Sequence, residues 1–209
     1  MDKSMNKYFM MCEGTPRLRD KGDYPCSVHF SKYRLNKAFE QVNLSKVSVE
    51  ETVKIINTFL SEIGMTEIEQ AIIQGVKNIN YRSIKKYYNL KSIKDIIWLK
   101  FTKDGYCGVV AVSNDVNFNI PPSAVTYNEK SNGRWKYNTS GILVHQVNKE
   151  WDDSFVLIFP LVDIPEGYTR HDIERAVGNY LIDNNVPIID FYSHNYPYGY
   201  KKLHCKSAE

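Results

Sequence analysis

The order of two hydrophobic periods along the chain constrains the fold more than any other feature of the sequence. Up to about residue 90, apolar side chains recur at the three-to-four-residue spacing of helices. From Ile96 onward, runs rich in β-branched and aromatic residues are separated by short turns, as in strands joined by hairpins. One more helical stretch and a final strand follow. Strands joined in this way form an antiparallel or mixed sheet with helices on one face, so the sequence predicts an α+β fold.

Two consecutive capping patterns predict an N-terminal helical hairpin, which a mostly antiparallel sheet, a late helix and a final strand would follow. Ser48 and Glu51 have the spacing of a capping box, in which each side chain bonds the backbone N–H of the other residue. Gly64 supplies the left-handed residue that ends a helix, and Thr66 with Glu69 repeats the capping pattern. Each helix would carry an apolar stripe: Val53, Ile56, Leu60 and Ile63 on the first, and Ile68, Ala71, Ile72 and Ile79 on the second.

The remaining elements are predicted from the same two periods. Helices are expected at residues 31–42, at 81–88, and from the cap residue Thr169 through Leu181. Strands are expected at residues 7–12, 96–102, 106–113, 134–137, 141–148, 155–162 and 187–193. In residues 155–162 both alternating sets of side chains are apolar, which indicates a central strand covered on both faces.

Length and composition indicate one folded domain. The 209 residues fit a single domain, with a mainly helical part at 1–90, a mainly sheet part at 91–195 and a tail at 196–209. The hydrophobic fraction of 43% supplies a core, which excludes a disordered chain. No apolar run is long enough to span a bilayer, and the first residues lack the apolar segment of an export signal. We therefore expect a cytoplasmic protein without a membrane partner.

The sequence contains none of the local motifs that announce a metal or cofactor site. The four cysteines are scattered, without a C-x-x-C pair or a histidine at zinc-ligand spacing, as is typical of reduced thiols in a cytosolic protein. Gly-rich phosphate loops, serine-hydrolase motifs and metal-binding carboxylate motifs do not occur either. We expect no metal and no cofactor. Whether the protein is an enzyme is left open.

The net charge of +3 conceals two stretches of opposite sign. The basic stretch, residues 77–103, has eight basic residues and one acid, and the acidic stretch, residues 149–190, has nine acids and three basic residues. Within the basic stretch, Arg82, Lys85 and Lys86 fall on one side of the predicted helix, and Tyr87 is beside them. Cations bind phosphates and aromatic rings stack on bases, so these four are candidate ligand-binding residues. A solvated helix face gives the same pattern.

The final predicted strand and the tail carry a second set of candidates. Alternation places Asp190, Tyr192 and His194 on one face of the strand, where an acid, a phenol and an imidazole suit proton transfer. Lys201 and Lys202 in the tail would close over this site and bind a ligand. An exposed polar strand face and a frayed terminus explain the same residues without a function.

His171 completes the set of catalytic candidates. It falls in the first turn of the last predicted helix, where the positive end of the helix lowers the pKa of the imidazole and favours a neutral base. Arg170 and Arg175 would either bind an anion there or pair with neighbouring acids, and pairing is the interpretation we favour. His145 alternates with apolar residues and is predicted to point into the core.

Two classes of function agree with these features. The first is a binding protein for nucleic acid or a nucleotide-like anion, with metal-independent phosphodiester cleavage by His194 or His171 as its enzymatic form. The alternative is a non-enzymatic protein-interaction module, such as an inhibitor or adaptor of phage or mobile-element type, and the two charged stretches would also suit a homo-oligomer. The 15 tyrosines fit a binding surface, but codon bias in an AT-rich genome gives the same excess.

Overall fold

A computed structural model describes residues 5–9, 32–74, 79–114, 119–120, 129–131, 134–136 and 139–190. These residues form helices and a mixed five-stranded sheet, together with two small two-stranded sheets. The α+β class predicted from the sequence is confirmed. None of the described helices combines the length and the apolar character that crossing a membrane requires.

The described helices agree with the predicted ones at residues 31–42, between Ser48 and Gly64, at 81–88 and after Thr169, and the other two described helices were not predicted. Their bounds are α1 Asn6–Phe9, α2 Lys32–Gln41, α3 Val49–Glu62, α4 Tyr81–Tyr87, α5 Thr139–Gln146 and α6 Arg170–Asp183.

The strands of the main sheet are β1 Ile72–Gln74, β3 Asp95–Phe101, β4 Cys107–Asn114, β8 Phe155–Pro160 and β9 Ile188–Asp190. Their order is β1-β8-β3-β4-β9, in which the first three junctions are antiparallel and β9 runs parallel to β4. The small sheets pair β2 Ile79–Asn80 with β5 Asn119–Ile120, and β6 Glu129–Ser131 with β7 Arg134–Lys136.

The end signals read from the sequence act as predicted on α3 and α6. Ser48 accepts a hydrogen bond from the backbone N–H of Glu51 at 3.1 Å, and Gly64 after the helix has φ +80°. Thr169 and Asp172 form a complete capping box at the start of α6. Side chain and backbone conformation therefore fix both helices at the predicted positions.

The prediction of a second helix, which would complete the hairpin, is wrong. Residues 66–71 lie outside any helix or strand, and the chain continues as β1. Asn57 of α3 explains the difference, because its side chain accepts from Ile68 N at 2.8 Å and donates to Ile68 O at 3.0 Å. Both backbone groups of Ile68 are thus bound to a side chain instead of to a helical turn, and the capping pattern at Thr66 and Glu69 has no helix to cap.

The strand predicted at residues 141–148 is helix α5. Leu143 and Val147 are buried and His145 is exposed, so the prediction that His145 points into the core is also wrong. A separation of four residues fits both a strand, whose period is two, and one turn of a helix. A strand would place His145 on the same face as Leu143 and Val147, but His145 is exposed while Val144 is buried next to Leu143, so the burial pattern fits the helix.

The strand predicted at residues 7–12 is wrong where the structure describes it, because Asn6–Phe9 is the short helix α1. Tyr8 and Phe9 are buried and both contact the ring of Phe59 in α3. Tyr8 also contacts Tyr180 of α6, and Phe9 contacts Tyr168, which lies just before α6. Asn179 Nδ2 of α6 donates to Tyr8 O at 2.8 Å. Contacts with α3 and α6, which are distant in sequence, therefore decide the conformation of this segment.

The hairpin and the central strand are confirmed. β3 and β4 pair antiparallel around the turn that contains Gly105, whose φ is +91°. β8 lies between β1 and β3, with Val156 and Ile158 packed on one face of the sheet and Leu157 and Phe159 on the other. Pro160 ends the strand beside Ile96, beyond the end of β1, where its lack of an N–H breaks no ladder.

Helices cover both faces of the sheet, which corrects the expectation of a single covered face. Ile97 and Leu99 of β3 pack in the largest core cluster with α3 and α6. Ile96, which alternates with them, packs on the opposite face with Ile84 of α4. A third cluster joins α2 and α5 to Ile189 of β9.

Tyr8 fastens α1 to the end of α6. Its hydroxyl donates to Asp183 Oδ2 at 2.6 Å. Burial, together with this bond to a carboxylate, raises the pKa of Tyr8 to about 12.

Replacing Tyr8 with Phe removes the hydroxyl and keeps the ring. We expect the free energy of unfolding to fall by about 1 kcal/mol at neutral pH, which is typical of one hydrogen bond. Because the folded-state pKa of Tyr8 lies above the ordinary value of 10.0, the advantage of the wild type is complete below pH 10.0 and disappears as the pH rises to about 12. Urea unfolding of both proteins along this pH range measures it, and an advantage that does not change with pH would contradict the assignment.

Candidate functional site

Helix α4 packs one side against the sheet, and its basic side faces outward. Ile84 is 1% exposed and packs with Ile73 and Ile158, whereas Arg82 and Lys86 are exposed. Lys85 is half-buried. Within the described part of the chain, neither Arg82 nor Lys86 forms an ion pair with an acid, and the ion pairs that are present are formed by other basic residues.

Tyr87 lies at the end of α4 with 46% of its surface exposed. Its ring meets the ring of Tyr88 edge-on, with centroids 4.9 Å apart and planes at 75°. We call the exposed residues Arg82, Lys86 and Tyr87 the α4 surface. Three of the four predicted ligand-binding residues of the basic stretch are therefore exposed on one short helix.

The cations of the basic stretch that the structure describes after α4 are of two kinds, those that pair with acids and those that do not. Lys91 and Lys94, which follow α4, are exposed. Lys100 pairs with Asp153 at 2.8 Å, and Lys103 pairs with Glu150 at 2.6 Å. The positive charge that is available to a ligand is thus concentrated on α4 and the segment after it.

Lys100 is the least expected residue of the basic stretch, because it is fully buried. Its Nζ lies 5.6 Å from the centroid of the Trp151 ring and bonds the half-exposed carboxylate of Asp153. Burial lowers the pKa of Lys100, and the bond to Asp153 partly offsets this effect. Sequence analysis did not single out this group; the available signal was a lysine inside the apolar run of β3.

Gly108 makes room for the Trp151 ring. A Cβ atom built on Gly108 would overlap Cζ3 and Cη2 of the indole, so no larger residue fits there without movement. Trp151 Nε1 is buried and has no hydrogen-bond partner among the residues that the structure describes. The close contact with Gly108 lets the indole lie beside Lys100, whose side chain is fully buried and therefore not exposed to a ligand.

Asp190 does not belong to an exposed polar face, which the sequence left open. It is 3% exposed, at the end of β9, and accepts a hydrogen bond from the hydroxyl of Ser140 in the first turn of α5. The carboxylate joins the start of α5 to the edge of the sheet. This contact is sufficient to explain a buried aspartate without a catalytic role.

The other candidates of the final strand and tail lie outside the described residues. This applies to Tyr192, His194, Lys201 and Lys202. The geometric relation between them and Asp190 therefore stays a prediction.

His171 lies in the first turn of α6, as predicted. Its Nδ1 is 3.7 Å from the carboxylate of Glu174, whose other oxygen accepts from Val112 N at 3.1 Å. Partial burial and the neighbouring charge of Arg170 lower the pKa of His171. The pKa of His171 is therefore lowered, as predicted, but the main cause is burial and not the end of the helix.

The two arginines of α6 pair with acids, as we favoured. Arg170 binds Asp95 at 3.0 Å, and Arg175 binds Asp172 at 3.1 Å. The described contacts therefore use both cations inside the fold, instead of offering them to an anion at the start of α6.

Comparison with family models, curated proteins and solved structures finds no match to this chain. The candidate site is therefore defined by geometry alone. Over the described ranges, no three His, Cys, Asp or Glu side chains are grouped as ligands of a metal ion would be. Asp190, His171 and the α4 surface lie on three separate elements, and of these the α4 surface offers exposed side chains that suit an anion.

Replacing Lys100 with Met tests whether its burial is costly. Asp153 is half-exposed and stays hydrated without its partner, so we expect the variant to be as stable as the wild type at neutral pH, or more stable. Because the folded-state pKa of Lys100 is lowered, the unfolded chain binds more protons as the pH approaches the ordinary value of 10.5. The wild type should therefore gain stability relative to the variant as the pH rises toward 10.5, as measured by denaturant unfolding. A relative loss over that range would contradict the lowered pKa.

Replacing Asp190 with Ala tests its structural role. The change leaves the half-buried Ser140 hydroxyl without its acceptor and removes a hydrogen bond to a charged group, so we expect the free energy of unfolding to fall by about 1–3 kcal/mol. The matched variant Ser140→Ala should cost less, because the carboxylate keeps other interactions. If the loss for Asp190→Ala is below roughly 0.5 kcal/mol, as for surface substitutions, the contact is not structural.

Proposed function

We propose that the protein binds nucleic acid, or an anion of nucleotide type, through the α4 surface. The observation that carries this proposal is the side-by-side exposure of Arg82, Lys86 and Tyr87 on a helix whose opposite side is fixed to the sheet. Cations supply the attraction to phosphates, and an aromatic ring adds a contact that any base can use.

The distribution of ion pairs supports this surface over the other basic residues. Lys100 and Lys103 are bound to acids of the acidic stretch, and Arg170 is bound to Asp95. A cation that is paired with an acid attracts a phosphate less strongly, because the acid offsets its charge, whereas Arg82 and Lys86 pair with no described acid. Lys91 and Lys94 extend the exposed positive charge along the chain.

Binding is favoured over phosphodiester cleavage. His171 contacts Glu174 on α6, and Asp190 contacts Ser140 on α5, so each candidate acid-base group already has a partner within the fold. No described contact brings either of them to α4. The proposal therefore assigns no catalytic role.

The salt dependence of binding tests the proposal. We expect the double variant Arg82→Ala/Lys86→Ala to bind a single-stranded oligonucleotide more weakly. The slope of log K against log salt should also become less steep by about 0.7 for each phosphate that the variant no longer neutralises. Fluorescence anisotropy of a labelled oligonucleotide across a salt series measures both quantities.

The matched control is Lys54→Ala/Lys103→Ala, which removes the same charge from α3 and from the β3–β4 turn. The control should keep both the affinity and the slope of the wild type. If the two double variants weaken binding equally, the attraction depends on net charge and not on α4. If the wild type binds no oligonucleotide at low salt, the proposed function is wrong.

A protein-interaction module is the second candidate, and one observation favours it. Phe39 and Leu44, in and just after α2, are each 43% exposed, and exposed apolar side chains of this size suit contact with another protein. The charge argument for self-association is weaker than the sequence suggested, because Glu150 and Asp153 of the acidic stretch pair with lysines of the same chain. Light scattering of the wild type over a range of concentrations distinguishes a monomer from an oligomer.

A further inference from the structure

The ring of Tyr87 is exposed, while its neighbour Tyr88 is anchored to the sheet. The Tyr88 hydroxyl donates to Ile158 O of β8 at 2.7 Å and also lies 3.1 Å from Gln70 O. Its ring packs against two of the core clusters. These contacts fix the position of the Tyr88 ring, and the edge-on contact between the two rings limits how far the Tyr87 ring can move.

Tyr87 is also restrained at its other end. Its hydroxyl lies 3.5 Å from Ile72 O at the edge of the sheet, a long contact that nevertheless positions the phenol beside β1. A large side chain that stays 46% exposed in spite of these contacts presents aromatic surface to solvent at little further cost in conformational entropy.

The helical period places this aromatic surface next to the cations. Lys86 precedes Tyr87 by one residue, or about 100° around the helix, and Arg82 lies one turn before Lys86. Lys85, in contrast, is displaced to the other side of Arg82, toward Tyr88. Around the helix axis Lys86 therefore lies between Arg82, about 40° away, and Tyr87, about 100° away, so the strip formed by these three residues presents a guanidinium, an ammonium group and an exposed ring in that order.

We propose that this strip selects unpaired nucleic acid over duplex: the phosphates of a single strand contact Arg82 and Lys86 while one of its bases stacks on Tyr87. This inference rests on the proposed function and names its substrate class. The bases of a duplex have their faces stacked on one another, so a duplex offers phosphates to the cations but no free base to the ring. An unpaired strand offers both.

The test compares single-stranded and duplex ligands of equal length on variants of the full chain. The ligands are a labelled oligothymidylate of about 20 nucleotides, longer than a typical single-strand site, and the corresponding duplex. The main variant is Tyr87→Leu, which removes the aromatic face and keeps apolar bulk against Tyr88. Tyr87→Phe is the matched control, because it keeps the ring and removes only the hydroxyl.

We expect Tyr87→Leu to bind the single strand roughly tenfold more weakly, with an unchanged salt slope and unchanged duplex binding. Tyr87→Phe should bind the single strand like the wild type. Thermal unfolding of both variants verifies that they are folded. If the leucine variant does not fold, Tyr87→Phe alone tests the inference. A loss of single-strand affinity in Tyr87→Phe would then overturn stacking as the role of the ring.

Two results separate this inference from the proposed function. If Tyr87→Leu binds the single strand as tightly as the wild type while Arg82→Ala/Lys86→Ala does not, the inference is overturned and the proposed function stands. If Arg82→Ala/Lys86→Ala also binds normally, both are overturned.

Discussion

The two apolar faces of β8 determine how the rest of the chain must pack. Val156 and Ile158 face one side of the sheet, and Leu157 and Phe159 face the other, with none of them exposed. Burying such a strand requires cover on both sides, since each large apolar side chain contributes about 1.5–3 kcal/mol only when it is removed from water. Helices α3 and α6 supply the cover on one face, and α4 contributes to it on the other.

This constraint gives α4 its orientation. A helix of seven residues is too short to be stable in water by itself, so its contacts with the sheet hold it together. Ile84 and Tyr88 make those contacts, and the helical period then directs Arg82 and Lys86 away from the sheet. The exposure of Arg82 and Lys86 is in this sense a consequence of the burial of β8 on the side of the sheet that α4 covers.

Sequence patterns predicted the elements whose signals are local, and for α1 and for the segment after Gly64 they failed because residues outside those segments decide the conformation. The caps at Ser48 and Thr169 and the turn at Gly105 involve residues within a few positions of each other, and all three are found in the structure. The segment after Gly64 carries an equally good cap, yet the side chain of Asn57 binds the backbone of Ile68 and holds it out of a helix. No property of residues 66–71 themselves contains that information.

The charge map shows the same limit for the candidate site. The sequence groups Arg82, Lys86, Lys100 and Lys103 in one basic stretch, but the antiparallel pairing of β3 with β8 brings the last two beside the turn that precedes β8. Their charges are then neutralised by acids that lie about fifty positions later in the sequence, since the ion pairs span 53 and 47 residues. Folding therefore removes positive charge from one end of the basic stretch and leaves it on α4. A field concentrated in this way would draw a polyanion, if the protein binds one as we propose, to one place on the surface, which a net charge of +3 spread evenly over 209 residues would not do.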